Sequence, residues 1–127
     1  MIFDTNALSA LGNEEPAILE KLNLAETPRP YLCFICLGEY RKGLLDSTRP
    51  AKPLAMLKQL CSSWDTLHSN DETITHYAEI GHYLKTIGRP IPTNDIWIAA
   101  LARQHAMPVF SRDRHFDHIP DIQRLDW

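Results

Sequence analysis

The chain has 127 residues, 44% of them hydrophobic and 23% charged, the proportions of an ordinary globular chain. That length makes one domain with room for a real core, and no apolar run approaches the roughly 20 residues a membrane span needs. The net charge of −3 argues against broad, backbone-driven binding of nucleic acid, although a metal held by clustered carboxylates would reverse the sign locally. Met1-Ile-Phe-Asp-Thr-Asn lacks the basic start and long apolar core of a secretory signal, so a cytoplasmic protein with no membrane partner is expected. Three cysteines do not form a disulfide framework. Cys33 and Cys36 form a lone C-x-x-C without a second pair for zinc, and are expected to pack as small buried hydrophobes.

Met1 to Asp4 reads as a short strand ending in an acid, at the edge of an α/β sheet where ligand sites gather. The competing reading makes Asp4-Thr5-Asn6 a turn or helix cap. Glu14 to Leu24 reads as a helix with Ile18, Leu19, Leu22 and Leu24 as its apolar side and Pro16 near its first turn. After the loop Thr27-Pro-Arg-Pro, Tyr31 to Ile35 is almost wholly apolar, as a strand covered on both faces should be. A helix follows directly from Cys36 and puts Glu39 in its opening turns. Arg41 and Lys42 beside it also fit a plain solvated helix face.

Ser47 to Pro53 is a polar break. Leu54 to Trp64 reads as an amphipathic helix with Leu57, Leu60, Cys61 and Trp64 inward, and Asp65 to His68 as a short strand. Asn70 to Glu72 cap a long helix, Glu72 to Ile87, whose Ile74, Tyr77, Ile80, His82, Tyr83, Leu84 and Ile87 mix a core stripe with polar residues; Gly88 stops it. Ile91 to Ala106 holds the most buried helix, because Ile96, Ile98, Ala99, Ala100, Leu101 and Ala102 leave almost no polar face before Arg103. Thr93 or Asn94 can cap it and Asp95 falls in its first turn, where the helix dipole favours a carboxylate. Met107 to Ser111 is a late strand, Asp113 lies two residues beyond it, and Ile122 to Leu125 can add an edge strand. Strand–helix alternation predicts an α/β fold, a mostly parallel sheet between helical layers.

Asp4, Glu39, Asp95 and Asp113 all lie at strand ends or helix starts, which share one rim in a parallel fold. Four converging carboxylates without matched bases repel, and hard cations relieve that charge; Mg²⁺ and Mn²⁺ suit an all-oxygen set. Such a site activates water for in-line displacement at phosphorus. Thr5, Asn6, Asn94 and Ser111 are suited to orient the carboxylates or a phosphate. Arg41, Lys42, Arg89, Arg112 and Arg114 are the candidate phosphate contacts. His115-x-x-His118 reads more simply as surface or packing residues than as a metal pair. Trp97 fits core or dimer interface better than a base-stacking role.

Ile-Phe-Asp-Thr-Asn, Leu-Gly-Glu-Tyr-Arg-Lys-Gly, Ile-Pro-Thr-Asn-Asp-Ile-Trp-Ile-Ala-Ala and Ser-Arg-Asp-Arg-His-Phe occur in this order across nearly the whole chain. Together they resemble the PIN-domain ribonucleases, specifically the VapC type that serves as the toxin of bacterial toxin–antitoxin pairs. The resemblance implies a three-layer α/β/α sandwich and Mg²⁺- or Mn²⁺-dependent endonucleolytic cleavage of RNA, tRNA among the possible substrates. It also implies a homodimer and an antitoxin that blocks the site. Carried over by position, Asp4 and Asp95 are the core metal ligands, Glu39 and Asp113 support them or hold a second metal, and Thr5, Asn6 and Ser111 assist. Asp117 is a further acid whose role the family pattern leaves open. Two rivals share the expected chemistry. A phospho-receiver domain needs paired acids after the first strand and a lysine at a late strand's end, but Thr5-Asn6 follows Asp4 and no lysine follows Lys85. A D-x-D phosphatase fails because position 6 is Asn. A catalytically silent PIN-like RNA-binding module is the third alternative.

Overall fold

The computed structural model describes residues 1–127. Five two-residue strands are separated by helices: β1 (Ile2–Phe3), α1 (Thr5–Gly12), α2 (Pro16–Leu22), β2 (Leu32–Cys33), α3 (Phe34–Leu45), α4 (Ala51–Ser63), β3 (Thr66–Leu67), α5 (Asp71–Thr86), α6 (Thr93–Gln104), β4 (Val109–Phe110) and β5 (Arg124–Leu125). A short 3-10 helix, Arg114–His118, lies between β4 and β5. β1, β4 and β5 pair in that order, β2 pairs with β3, and a bridge between Ile2 and Tyr31 joins the two groups, every pairing parallel. The order across the molecule is therefore β3-β2-β1-β4-β5.

That order explains where a site forms. The chain leaves β1 towards β2 and β3 in one direction, then crosses back to β4 and β5 in the other. Right-handed crossovers put α1 to α4 on one face of the sheet and α5 with α6 on the other. The strand order reverses between β1 and β4, and the crevice at their carboxyl ends is where open α/β sheets bind ligands. Asp4 immediately follows β1, and Ser111 immediately follows β4.

Aromatic rings run across the sheet through this point. Phe3 meets Trp64 edge-on at 4.8 Å and Phe110 at 5.0 Å, and Phe110 meets Trp127 at 4.9 Å. Ala99, Ala100 and Ala102 of α6 are buried beside Ile98 and Leu101, small enough to let the helix lie close to its neighbours. Asn70 caps α5 in a reciprocal box with Thr73, whose hydroxyl also bonds Gln104 at the end of α6; Gln104 Nε2 donates back to Asn70 at 3.0 Å. This ties the two antiparallel helices end to end. Gly88, at φ +66°, takes the left-handed conformation that stops α5.

Several boundaries differ from the sequence reading. Strand β2 is only Leu32–Cys33, and Phe34 and Ile35 already form the first turn of α3. An apolar run reads the same whether it is a covered strand or a buried helical turn. Helix α6 has Pro92 at its cap position with no side-chain cap bond, so neither Thr93 nor Asn94 caps it. Cys61 is exposed, as are Leu19, Leu24, Ile74, Tyr83 and Ile87. Each helix meets the sheet or its partner along a stripe narrower than its apolar side. Cys33 and Cys36 are buried free thiols with sulfurs 3.0 Å apart.

Candidate active site

Ser111 is the hinge of the site. Its buried hydroxyl donates to Asp4 Oδ2 at 2.7 Å and accepts from Asn6 Nδ2 at 3.0 Å and from the Asp113 amide at 2.9 Å. Asn6 Nδ2 also reaches Asp4 Oδ2 at 2.7 Å, and Asn6 Oδ1 accepts from the Arg112 amide at 3.3 Å. Asp4 Oδ1 accepts from the Thr5 amide at 2.6 Å, so the carboxylate also caps α1. Capping and ligand binding are compatible here, because two oxygens offer more lone pairs than these donors fill. Glu39 reaches the same rim from the second turn of α3. Its Oε1 accepts from Asn94 Nδ2 at 2.6 Å and its Oε2 from the Thr5 hydroxyl. Asn94 thus orients an acid from across the cleft instead of capping its own helix.

Asp95 enters from the first turn of α6, and Asp113 from the residue that caps the 3-10 helix. Between them lies His115, its Nδ1 2.9 Å from Asp95 Oδ2 and 3.0 Å from Asp113 Oδ1. The four acids border a cleft of about 720 Å³ whose lining includes six acids in all (Asp4, Glu15, Glu39, Asp46, Asp95 and Asp113) and only two bases, Lys42 and Arg112. Arg112 is already engaged, paired with Glu15 at 2.8 Å and lying over the Trp127 ring at 4.5 Å.

Burial, helped by the neighbouring acids, raises the two central carboxyls. Asp4 is 4% exposed, and burial pushes its carboxyl up from 3.8 to about 6, against the pull of its Ser111 and Thr5 hydrogen bonds and with help from Asp95 and Asp113. Asp95 is raised too, by burial first; the His115 hydrogen bond opposes the shift, and Asp113 and Glu39 add to it. Oxygen donors with unrelieved charge are the donor set that Mg²⁺ or Mn²⁺ takes.

The PIN domain family matches residues 1–122. Among curated relatives, the chain is 30% identical over 129 residues to Ribonuclease VapC1 of Haemophilus influenzae strain R2866, covering 99% of this chain and 96% of that protein. The chain belongs to the PIN-domain family, in its VapC branch. It is also 26% identical to the tRNA(fMet)-specific endonuclease VapC of Shigella flexneri, over 99% of this chain and 96% of that one. The solved structure of VapBC-1 from nontypeable Haemophilus influenzae superposes with a TM-score of 0.82 at 29% identity, covering 100% of this chain and 98% of that chain.

In this VapC-type PIN domain, Asp4, Glu39, Asp95 and Asp113 line one cleft, with Thr5, Asn6, Asn94 and Ser111 holding them. Asp117 stands apart: its carboxylate pairs with Arg124 at 2.7 Å and 3.2 Å, and it does not line the cleft. Of the five basic candidates, Lys42 and Arg112 border the cleft. Arg41 turns the other way on α3, into an apolar groove with Leu44, Leu54 and Leu57. Arg89 and Arg114 are exposed and do not line the cleft. Helical periodicity separates Arg41 from Lys42, because adjacent residues on a helix point about 100° apart. Trp97 stacks on Tyr77 at 4.0 Å, joining α6 to α5. His115 is the residue whose position the sequence reading undervalued. Its signal was proximity in sequence: two residues after Asp113, a tight 3-10 turn folds the ring back over the acid.

Asp113 and Asp117 should therefore separate cleanly. Asp113→Asn is expected to lower RNA cleavage at least about tenfold, most severely at low Mn²⁺, as loss of one charged ligand should. Asp117→Asn should leave the rate within about twofold and cost at most about 1 kcal/mol of stability, since Asp117 itself is exposed and Arg124 keeps its bonds to Asp126 and the Ser111 carbonyl. Rates for both variants across a Mn²⁺ titration decide it, and greater damage in Asp117→Asn would reverse the assignment.

Proposed function

We propose that this chain is a Mg²⁺- or Mn²⁺-dependent endoribonuclease acting in the cytoplasm as the toxin of a toxin–antitoxin pair. The observation that carries the reading is the gathering of Asp4, Glu39, Asp95 and Asp113 in one cleft at the point where strand order reverses. Asp4 and Asp95 would hold the cation at the cleft floor, and Glu39 and Asp113 would support it or a second one. When bound, the ion supplies Lewis acidity for a water nucleophile and offsets phosphate charge. Ser111, Asn6 and the Thr5 amide fix Asp4, while Thr5 and Asn94 fix Glu39 from opposite sides. Preset carboxylates need no reorganisation as charge develops. Lys42, from the next turn of α3, is the base best placed to meet a backbone phosphate, because Arg112 is already committed to Glu15.

The receiver reading lacks its lysine, since the cleft's lysine comes from α3 and no late strand supplies one. RNA is the substrate class, and the name of the Shigella flexneri relative makes tRNA the first substrate to try. An antitoxin arginine would be drawn to the same acid-rich cleft, where a bidentate carboxylate contact is strong. The exposed Tyr83 and Ile87, four residues apart at the C-terminal end of α5, offer an uncovered patch for a homodimer.

Purified protein should cleave RNA in millimolar Mg²⁺ or Mn²⁺ and lose that activity in excess EDTA, with recovery on adding metal back. Cleavage undiminished by EDTA would end the metal-dependent reading. Expression alone should arrest growth, and a cognate antitoxin should relieve the arrest. Harmless expression of an active nuclease would remove the toxin role and leave the enzyme.

A further inference from the structure

We propose that His115 is a nitrogen ligand of the cation in this cleft, and that it biases the site towards Mn²⁺ over Mg²⁺. The proposal rests on the metal-dependent reading above and adds a donor outside the four carboxylates.

Three features of the geometry carry it. His115 Nδ1 stands 2.9 Å from Asp95 Oδ2 and 3.0 Å from Asp113 Oδ1. Neighbouring donors around an octahedral ion at about 2.1 Å are roughly 3 Å apart, so each carboxylate oxygen already stands at adjacent-ligand spacing from the ring nitrogen, and all three atoms lie within 4.8 Å of one another. The ring is also held in place by its own backbone. The His115 amide donates to Asp113 Oδ1 at 2.9 Å, the same oxygen its ring approaches, so the cap of the 3-10 helix and the position of the imidazole form together. Finally, Asp4 and its Ser111 partner lie deeper, whereas the His115 side chain, beside the cleft acids Asp95 and Asp113, is 41% exposed. An ion held between Asp95 and Asp113 therefore reaches the imidazole without rearranging the core.

The ring Nδ1 lies within hydrogen-bond distance of both carboxylate oxygens. On metal binding the ring would present its Nδ1 lone pair as the tautomer protonated at Nε2. Imidazole nitrogen suits first-row transition ions better than it suits Mg²⁺, which keeps to oxygen and water. Hence the predicted bias.

The test is spectroscopic. Pulsed EPR of Mn²⁺ bound to the wild-type protein should show coupling to a histidine ¹⁴N nucleus, and His115→Asn should lose it. That variant keeps an N–H donor near the Nδ1 position but no imidazole. Its Mn²⁺ Kd should rise about tenfold while its Mg²⁺ Kd moves less than about threefold. A purely structural histidine would move both together. Mn²⁺ binding abolished by Asp95→Asn yet free of nitrogen coupling in the wild type would overturn the His115 assignment and leave the carboxylate centre standing. Coupling that persists in His115→Asn would overturn it as well. No Mn²⁺ binding by the wild type would overturn both readings.

Discussion

Replacing Asp4 or Asp95 by Asn is expected to lower the RNA-cleavage rate by about a hundredfold or more, roughly 3 kcal/mol of barrier. Asn keeps the shape of each side chain and most of its hydrogen bonds. Asp4→Asn can still accept from Ser111 and Asn6, and Asp95→Asn can still accept from His115. What each loses is a negative charge facing the cleft. The loss should therefore appear as weaker metal binding and a lower turnover, with the native fold retained. Single-turnover rates at saturating and limiting Mn²⁺ separate the two contributions. A variant within about threefold of wild type at limiting Mn²⁺ would remove that acid from the ligand set.

The second large effect runs against intuition, because the same substitution should stabilise the protein when metal is absent. Asp4 has its carboxyl raised from 3.8 to about 6 by burial. Between those values the folded state binds more protons than the unfolded state, so stability falls as pH rises through this window and stays lowered above it. At 1.36 kcal/mol per unit, removing the charge returns at most about 3 kcal/mol at pH 8. Asn cannot satisfy the Thr5 amide and the Ser111 and Asn6 donors equally well, which costs back about 1 kcal/mol. Asp4→Asn should accordingly be about 1–2 kcal/mol more stable than wild type in EDTA at pH 8, with the advantage gone below pH 4. In Mn²⁺ at a hundred times Kd the wild type gains about 2.7 kcal/mol that the variant does not, so the order inverts. Denaturant melts of both proteins, with EDTA and with Mn²⁺, give the four values. A variant already less stable than wild type in EDTA at pH 8 would mean that Asp4 serves α1 as a cap more than it serves a metal.

Much of this was legible from the chain, and for identifiable reasons. The four acids could be named because each sits beside a strong local signal: Asp4 and Asp113 follow apolar strand residues, Asp95 opens the most buried helix, and Glu39 lies early in the helix that follows β2. Family order in the four motifs agreed with those signals. Apolar patterning likewise located α2 to α6 and the five strands, whereas α1 and the short 3-10 helix emerge only in the structure; Asn70 and Gly88 marked the ends of α5 correctly.

Tertiary structure alone decided what those residues touch. Neither Thr93 nor Asn94 caps α6, because Asn94's amide is drawn across to Glu39. Arg41 and Lys42 are sequence neighbours with the same charge, yet the helix turn sends one to an apolar groove and the other to the cleft. Asp117 is an acid of the same type as Asp113, four residues on, but Arg124 from β5 takes it. His115 looked like a surface residue until the 3-10 turn folded it between two carboxylates from different elements. Sequence patterns report which face of a segment is apolar and where the backbone turns, since both depend on near neighbours. Side-chain partners from Asp4 to Ser111, or from Glu39 to Asn94, are joined only when the β1–β4 pairing and the crossing of α3 over α6 bring distant segments together.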